Sequence, residues 1–116
     1  MTSAKMSAFI EKLLEKTKEG QIKWSRFPSR KNNDLWASDT KSFTCMAGNM
    51  DIVLLSDEEL ENIVLQIRYD RNLPAVEIDM EEQPEEVRRV AIRLVNYVYN
   101  LFPNLEKSID QFLEEP

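Results

Sequence analysis

The stretch Ile63–Met80, "IVLQIRYDRNLPAVEIDM", decides the fold. Ile63, Leu65, Ile67 and Tyr69 alternate with Val64, Gln66 and Arg68. "DRNLP" then supplies turn residues, and Val76, Ile78 and Met80 alternate with Glu77 and Asp79. Successive side chains of a strand point to opposite faces, so a period of two marks a half-buried strand. Two such runs joined by a short turn make an antiparallel hairpin with one solvated face.

Working back from this hairpin, "SDEELE" (56–61) reads as a short helical turn or wide connection with Ser56 as its cap. Before it, "MDIVLLS" and "SFTCMA" (42–47) flank Gly48-Asn49, a turn signal, and form a second hairpin with Phe43, Cys45 and Ala47 on one face. A fifth strand begins at Gln21, with Ile22 and Trp24 on one side and Lys23 and Ser25 on the other; Pro28 breaks it. Residues 27–41 have no period and are rich in Ser, Asn, Asp and Lys, which predicts a loop of about fifteen residues. Loops of that length in compact domains tend to be functional or mobile.

Helices close both ends. Met6, Phe9, Ile10, Leu13 and Thr17 make one stripe over residues 3–19, with Thr2 or Ser3 as the cap and Gly20 as the left-handed stop. Pro84, followed by Glu85 and Glu86, suits a helix start. Val87, Val90, Ala91, Leu94, Val98 and Leu101 then form a wide apolar face up to Pro103. Asn104 caps a last short helix whose own apolar face is Leu105, Ile109, Phe112 and Leu113. Tyr97 and Tyr99 cannot share a face at two-residue spacing, so one belongs to the core and one to the surface.

The expected fold is therefore α+β: an N-terminal helix, an antiparallel meander of about five strands, and a long C-terminal helix plus a short one. The 116 residues suit a single domain, and the helices 3–19 and 85–102 are expected to cover the face carrying Ile63, Leu65, Ile67, Val76 and Ile78.

Composition narrows function by exclusion. The chain has no histidine, which removes the commonest general base and metal ligand. Cys45 is alone, so it forms no internal disulfide, and it reads as a small core hydrophobe. Two glycines, Gly20 and Gly48, are too few for a phosphate-cradling loop. The acidic groups Glu81, Glu82, Glu85, Glu86 and Asp57, Glu58, Glu59, Glu61 lack the spacing of a calcium loop and read as solvated helix starts and turns. No cofactor and no small-molecule site are expected. No apolar run approaches the roughly 20 residues of a membrane span, and the N-terminus lacks the apolar core of a signal peptide, so a cytoplasmic protein is expected.

The net charge of −6 is uneven. Residues 1–50 hold nine basic and five acidic side chains, 9 − 5 = +4; residues 51–116 hold six and sixteen, 6 − 16 = −10. The basic half meets either an anionic partner or the acidic half, within the fold or across a homodimer. Its densest part is "IKWSRFPSRKNNDLWA" (22–37), where Arg26, Phe27, Arg30, Lys31, Trp36 and, just beyond, Lys41 form a candidate interaction loop. Aromatic residues beside arginines serve single-stranded nucleic-acid binders, but Asp34, Asp39 and the acidic chain as a whole oppose polyanion approach. A protein-contact loop, or a plain strand followed by a mobile loop, accounts for the same residues.

Lys16-Thr17, Gly20, Ile22 and Trp24 in "KTKEGQIKW" make a pattern that resembles small, uncharacterised bacterial and prophage proteins of about 100 residues. In those proteins a helix ending in KTxxGxIxW leads into a β-meander and a closing helix. "GNMDIVLL", "LENIVLQIRYDRNLPAVEI" and "VAIRLVNYVYNLFPNLEKSIDQFL" look similar in outline, whereas the fifteen-residue loop departs from the tighter hairpin of the pattern. The resemblance implies an α+β fold and a bacterial or phage origin, and it transfers no activity. The leading functional expectation is a non-enzymatic protein-interaction module, itself a homodimer. The alternatives are a nucleic-acid- or host-factor-binding regulator using the 26–41 loop, a divalent-metal carboxylate hydrolase, and a small acidic chaperone.

Overall fold

A computed structural model describes residues 1–27, 41–57 and 59–116. In chain order these form α1 (Ser3–Lys18), β1 (Ser25–Arg26), β2 (Phe43–Ala47), β3 (Met50–Ser56), β4 (Ile63–Arg68), β5 (Val76–Asp79), a 3-10 turn (Met80–Glu82), α2 (Glu85–Tyr99) and α3 (Leu105–Leu113). The five strands lie in sequence order, every neighbouring pair antiparallel, as an α+β meander should.

The register places Phe43 opposite Leu54, Cys45 opposite Ile52, Ile52 opposite Ile67 and Leu54 opposite Leu65. All of these point to one face and are buried. α1 packs on α2, and Met6, Ile10, Leu13, Val87, Val90, Leu94, Val95 and Val98 join the sheet residues in one core. Each fully buried aliphatic side chain contributes roughly 1.5–3 kcal/mol. Lys18 Nζ lies 5.6 Å from the Tyr97 ring centroid, so the C-terminal ends of α1 and α2 meet. Tyr99 is buried and Tyr97 half-buried, which divides the two tyrosines between core and surface.

The junction after α1 is built as its residues demand. Thr2 Oγ1 accepts from Lys5 N at 3.1 Å and caps the helix. At the other end Gly20 has φ +76°, a left-handed conformation that costs a residue with a Cβ about 1–2 kcal/mol. Gly20 N donates to Thr17 O and Gln21 N to Lys16 O, the paired bonds that satisfy the last carbonyls of a helix. Ile22 and Trp24 then drop into the core.

Three expectations are corrected. The first strand is confined to Ser25–Arg26 instead of running from Gln21. Trp24 Nε1 donates to Thr17 Oγ1 at 2.9 Å, which ties this segment to α1 and away from the ladder with β2. The 56–61 connection is closed by Asp57, not by Ser56. The Asp57 carboxylate accepts from Glu61 N at 2.8 Å and Asn62 Nδ2 at 2.9 Å, while the Ser56 hydroxyl donates to Asp57 O. Val76 shares the face of Ile67 but is 48% exposed, because β5 is the edge strand and lies at the margin of the helical cover.

Candidate interaction surfaces

At one end of the sheet, Arg26 and Lys41 face the corner between α2 and α3. The Arg26 guanidinium sits 5.2 Å from the Phe102 ring centroid and donates to Pro103 O. Phe102 in turn stacks on Phe43, with centroids 5.3 Å apart and planes at 17°. Lys41 Nζ lies 4.7 Å from the Tyr99 ring. A cation over an aromatic face is attracted by the ring quadrupole, by about 0.5–1 kcal/mol where water has access. Two of the basic candidate residues are thus engaged within the fold, holding the corner where the chain leaves α2. Phe27 continues from β1, with its N–H bonded to Ser42 O at 2.9 Å, and the residue is 36% exposed. Arg30, Lys31 and Trp36 lie outside the described residues.

Asn104 begins α3. It is buried, its Oδ1 accepts from Lys107 N at 2.8 Å, and its Nδ2 donates to Phe102 O at 3.2 Å. Lys107 Nζ reaches back to Asn100 O at 3.0 Å. These bonds fix the root of α3 on the body. Beyond the root every residue of α3 is exposed, including Leu105 (56%), Ile109 (48%), Phe112 (71%) and Leu113 (73%). The expected apolar face is present, but it does not meet this chain's core. At 100° per residue these four side chains span an arc of about 100°. Glu106, Asp110 and Glu114 follow along one flank of that arc.

The opposite end of the sheet carries a groove. Phe9, Met50, Ile67, Val76 and Ile78, with Met1 and Lys5 at its mouth, line a cavity of about 330 Å³. A second cavity of about 400 Å³ continues along α1 past Lys12 and Lys16 to Met46 and Ala47, sharing Phe9 and Met50 with the first. Lys5, Lys12 and Lys16 fall within about 40° of one another around α1, so one wall of the groove has a basic rim. Sequence reasoning did not identify this groove. The only signals were the excess of apolar residues at the hairpin ends, Met46, Met50 and Val76, beyond what the helices cover.

The remaining chemistry is structural. Among the described residues no three His, Cys, Asp or Glu side chains converge as a metal-binding group. Glu85 pairs with Arg89 at 2.9 Å across one exposed helical turn. Burial pushes the Cys45 thiol up to about 12, which leaves no thiolate at neutral pH. For Asp57, desolvation works upward, but the hydrogen bonds from the Asn62 side chain and from the backbone of Asn62, Glu61 and Leu60 outweigh it and hold the carboxyl below its ordinary value. Among the described residues no helix is long and apolar enough to cross a membrane. No family model matches the chain, and neither the curated proteins nor the solved structures offer a match.

Proposed function

We propose that this chain is a non-enzymatic protein-interaction module of the cytoplasm, and that α3 is its contact element. The observation that carries the reading is the exposed face of Ile109, Phe112 and Leu113 on a helix whose root is fixed. An apolar stripe on a surface helix normally covers its own core, and contiguous exposed apolar surface on a soluble domain marks a contact site. A helix already formed and capped loses little conformational entropy on docking, which favours affinity. The engagement of Arg26 and Lys41 within the fold, and the net charge of −6, weigh against a nucleic-acid partner.

A photo-crosslinking side chain at Phe112 tests the reading in living cells, with Glu86 on α2 as the control position. A discrete protein adduct from position 112 that is absent from position 86 is the expected result. No adduct at 112 above the control overturns it.

A further inference from the structure

The structure holds two apolar surfaces at opposite ends of one sheet: the α3 stripe and the groove between α1 and the hairpin ends. The two have complementary charged margins. Glu106, Asp110 and Glu114 run beside the apolar stripe at four-residue spacing, about 6 Å per step. Lys12 and Lys16 line the groove at the same spacing on α1, with Lys5 two turns before Lys12. α3 cannot reach its own groove. It is rooted by Asn104 at the corner of Phe102 and Phe43, where β2 begins, whereas the groove lies by Ala47 and Met50, where β2 ends.

We propose that α3 of one copy seats in the groove of a second copy, and that the second copy returns the contact, closing a two-fold dimer. The proposal rests on the reading of α3 as a contact element and names its partner. In each seat Ile109, Phe112 and Leu113 face Phe9, Met50 and Val76, and the acidic flank of the helix lies along the lysine rim. A helix laid by its apolar face into an apolar groove is a recurrent recognition mode. Reciprocal seats obey the self-complementarity of a two-fold interface and leave neither surface over, whereas one-way insertion would build an open chain of molecules. Interfaces of stable dimers bury roughly 1,600 Å² in total, so two equal seats need about 800 Å² each.

Complementation between two single variants tests the proposal in the full chain. Phe112→Asp disables the helix and Val76→Asp disables the groove; both sites are already exposed, so folding is spared, and circular dichroism checks this. Sedimentation velocity from about 1 to about 200 µM should show wild-type dimers and, for each variant alone, a dissociation constant raised thirtyfold or more, as loss of a central anchor implies. An equimolar mixture should regain a dimer-sized species, because each mixed pair keeps one intact helix and one intact groove. Reversing the margins, Lys12→Glu with Asp110→Lys, should weaken association singly and restore it together.

Four results overturn the proposal. If Val76→Asp dimerises like wild type, α3 pairs with its own copy instead of the groove. If the mixture fails to complement, the two surfaces are not partners. If the wild type forms long polymers, the two-fold closure is wrong. If the wild type stays monomeric at the highest concentration, the second copy is wrong. In that last case, a position-112 adduct with a different protein would keep α3 as a contact element, and the absence of any adduct would remove both readings.

Discussion

Thr17 links α1 to the segment that enters the sheet, and replacing it tests that link. Its hydroxyl donates to Leu13 O at 2.6 Å and accepts from Trp24 Nε1 at 2.9 Å, and all three groups are buried. Thr17→Val keeps the shape and the β-branch but removes both roles. The Leu13 carbonyl retains a lone-pair partner in the helix ladder, so its loss is small. The indole N–H is left buried with no acceptor, and an unsatisfied buried donor costs about 1–3 kcal/mol. Taking about 2 kcal/mol, and an unfolding entropy of about 2.1 cal/mol/K for each of 116 residues, the melting temperature should fall by about 8 °C. In a Trp24→Phe background the donor is already absent, and the same Thr17→Val change should cost no more than about 0.5 kcal/mol. Urea unfolding of the four proteins, at one protein concentration so that association does not enter, gives the coupling directly. A coupling under about 0.3 kcal/mol would refute the argument that the indole is tethered through Thr17.

Further outcomes follow from three single sites. Gly20→Ala places a methyl group where nothing lies within 4 Å, so only the left-handed backbone resists it; a loss of about 1 kcal/mol is expected in denaturant unfolding, with no change in m-value. Asn104→Ala removes the cap of α3 and the anchor to Phe102 O; α3 amides should exchange with solvent at least about fivefold faster, equivalent to about 1 kcal/mol, while amides of β3 and β4 stay protected. The folded Cys45 thiol ionises near 12 against an ordinary 9.0. The folded state therefore holds the proton more tightly than the unfolded one. Cys45's contribution to stability is complete below about pH 9 and should decline by up to about 1.4 kcal/mol per unit as pH rises from there towards 12. A thiol-specific reagent at pH 8 should react with Cys45 only as fast as the chain unfolds.

The features that were legible in the sequence are those set by local period. The alternation of Ile63, Leu65 and Ile67, the Gly48-Asn49 turn and the stripe from Val87 to Val98 each specify an element and its inner face. Short connections leave consecutive strands little choice but to pair, so the meander order followed as well. Periodicity names an apolar face but not the body that covers it. For Ile10 and Leu94 that body is this chain's core; for Ile109 and Phe112 it is not, and nothing in their spacing distinguishes the two. Ile22 and Trp24 carry the same lesson in reverse. Their alternation reads as a strand, and their burial agrees, yet the indole bond to Thr17 holds them outside the ladder. The Arg26 and Lys41 side chains were legible as charge, but only the fold shows that aromatic rings of the α2–α3 corner receive them.

The bond from Phe27 N to Ser42 O and the pairing of Arg26 with Phe43 hold the two ends of the intervening segment at neighbouring ladder positions. Closure between residues 27 and 42 is thereby guaranteed by the sheet, whatever lies between them. Doubling the length of a connection so clamped costs only about 0.6 kcal/mol in closure entropy. The entropy of closure therefore sets little limit on the number of residues between positions 27 and 42.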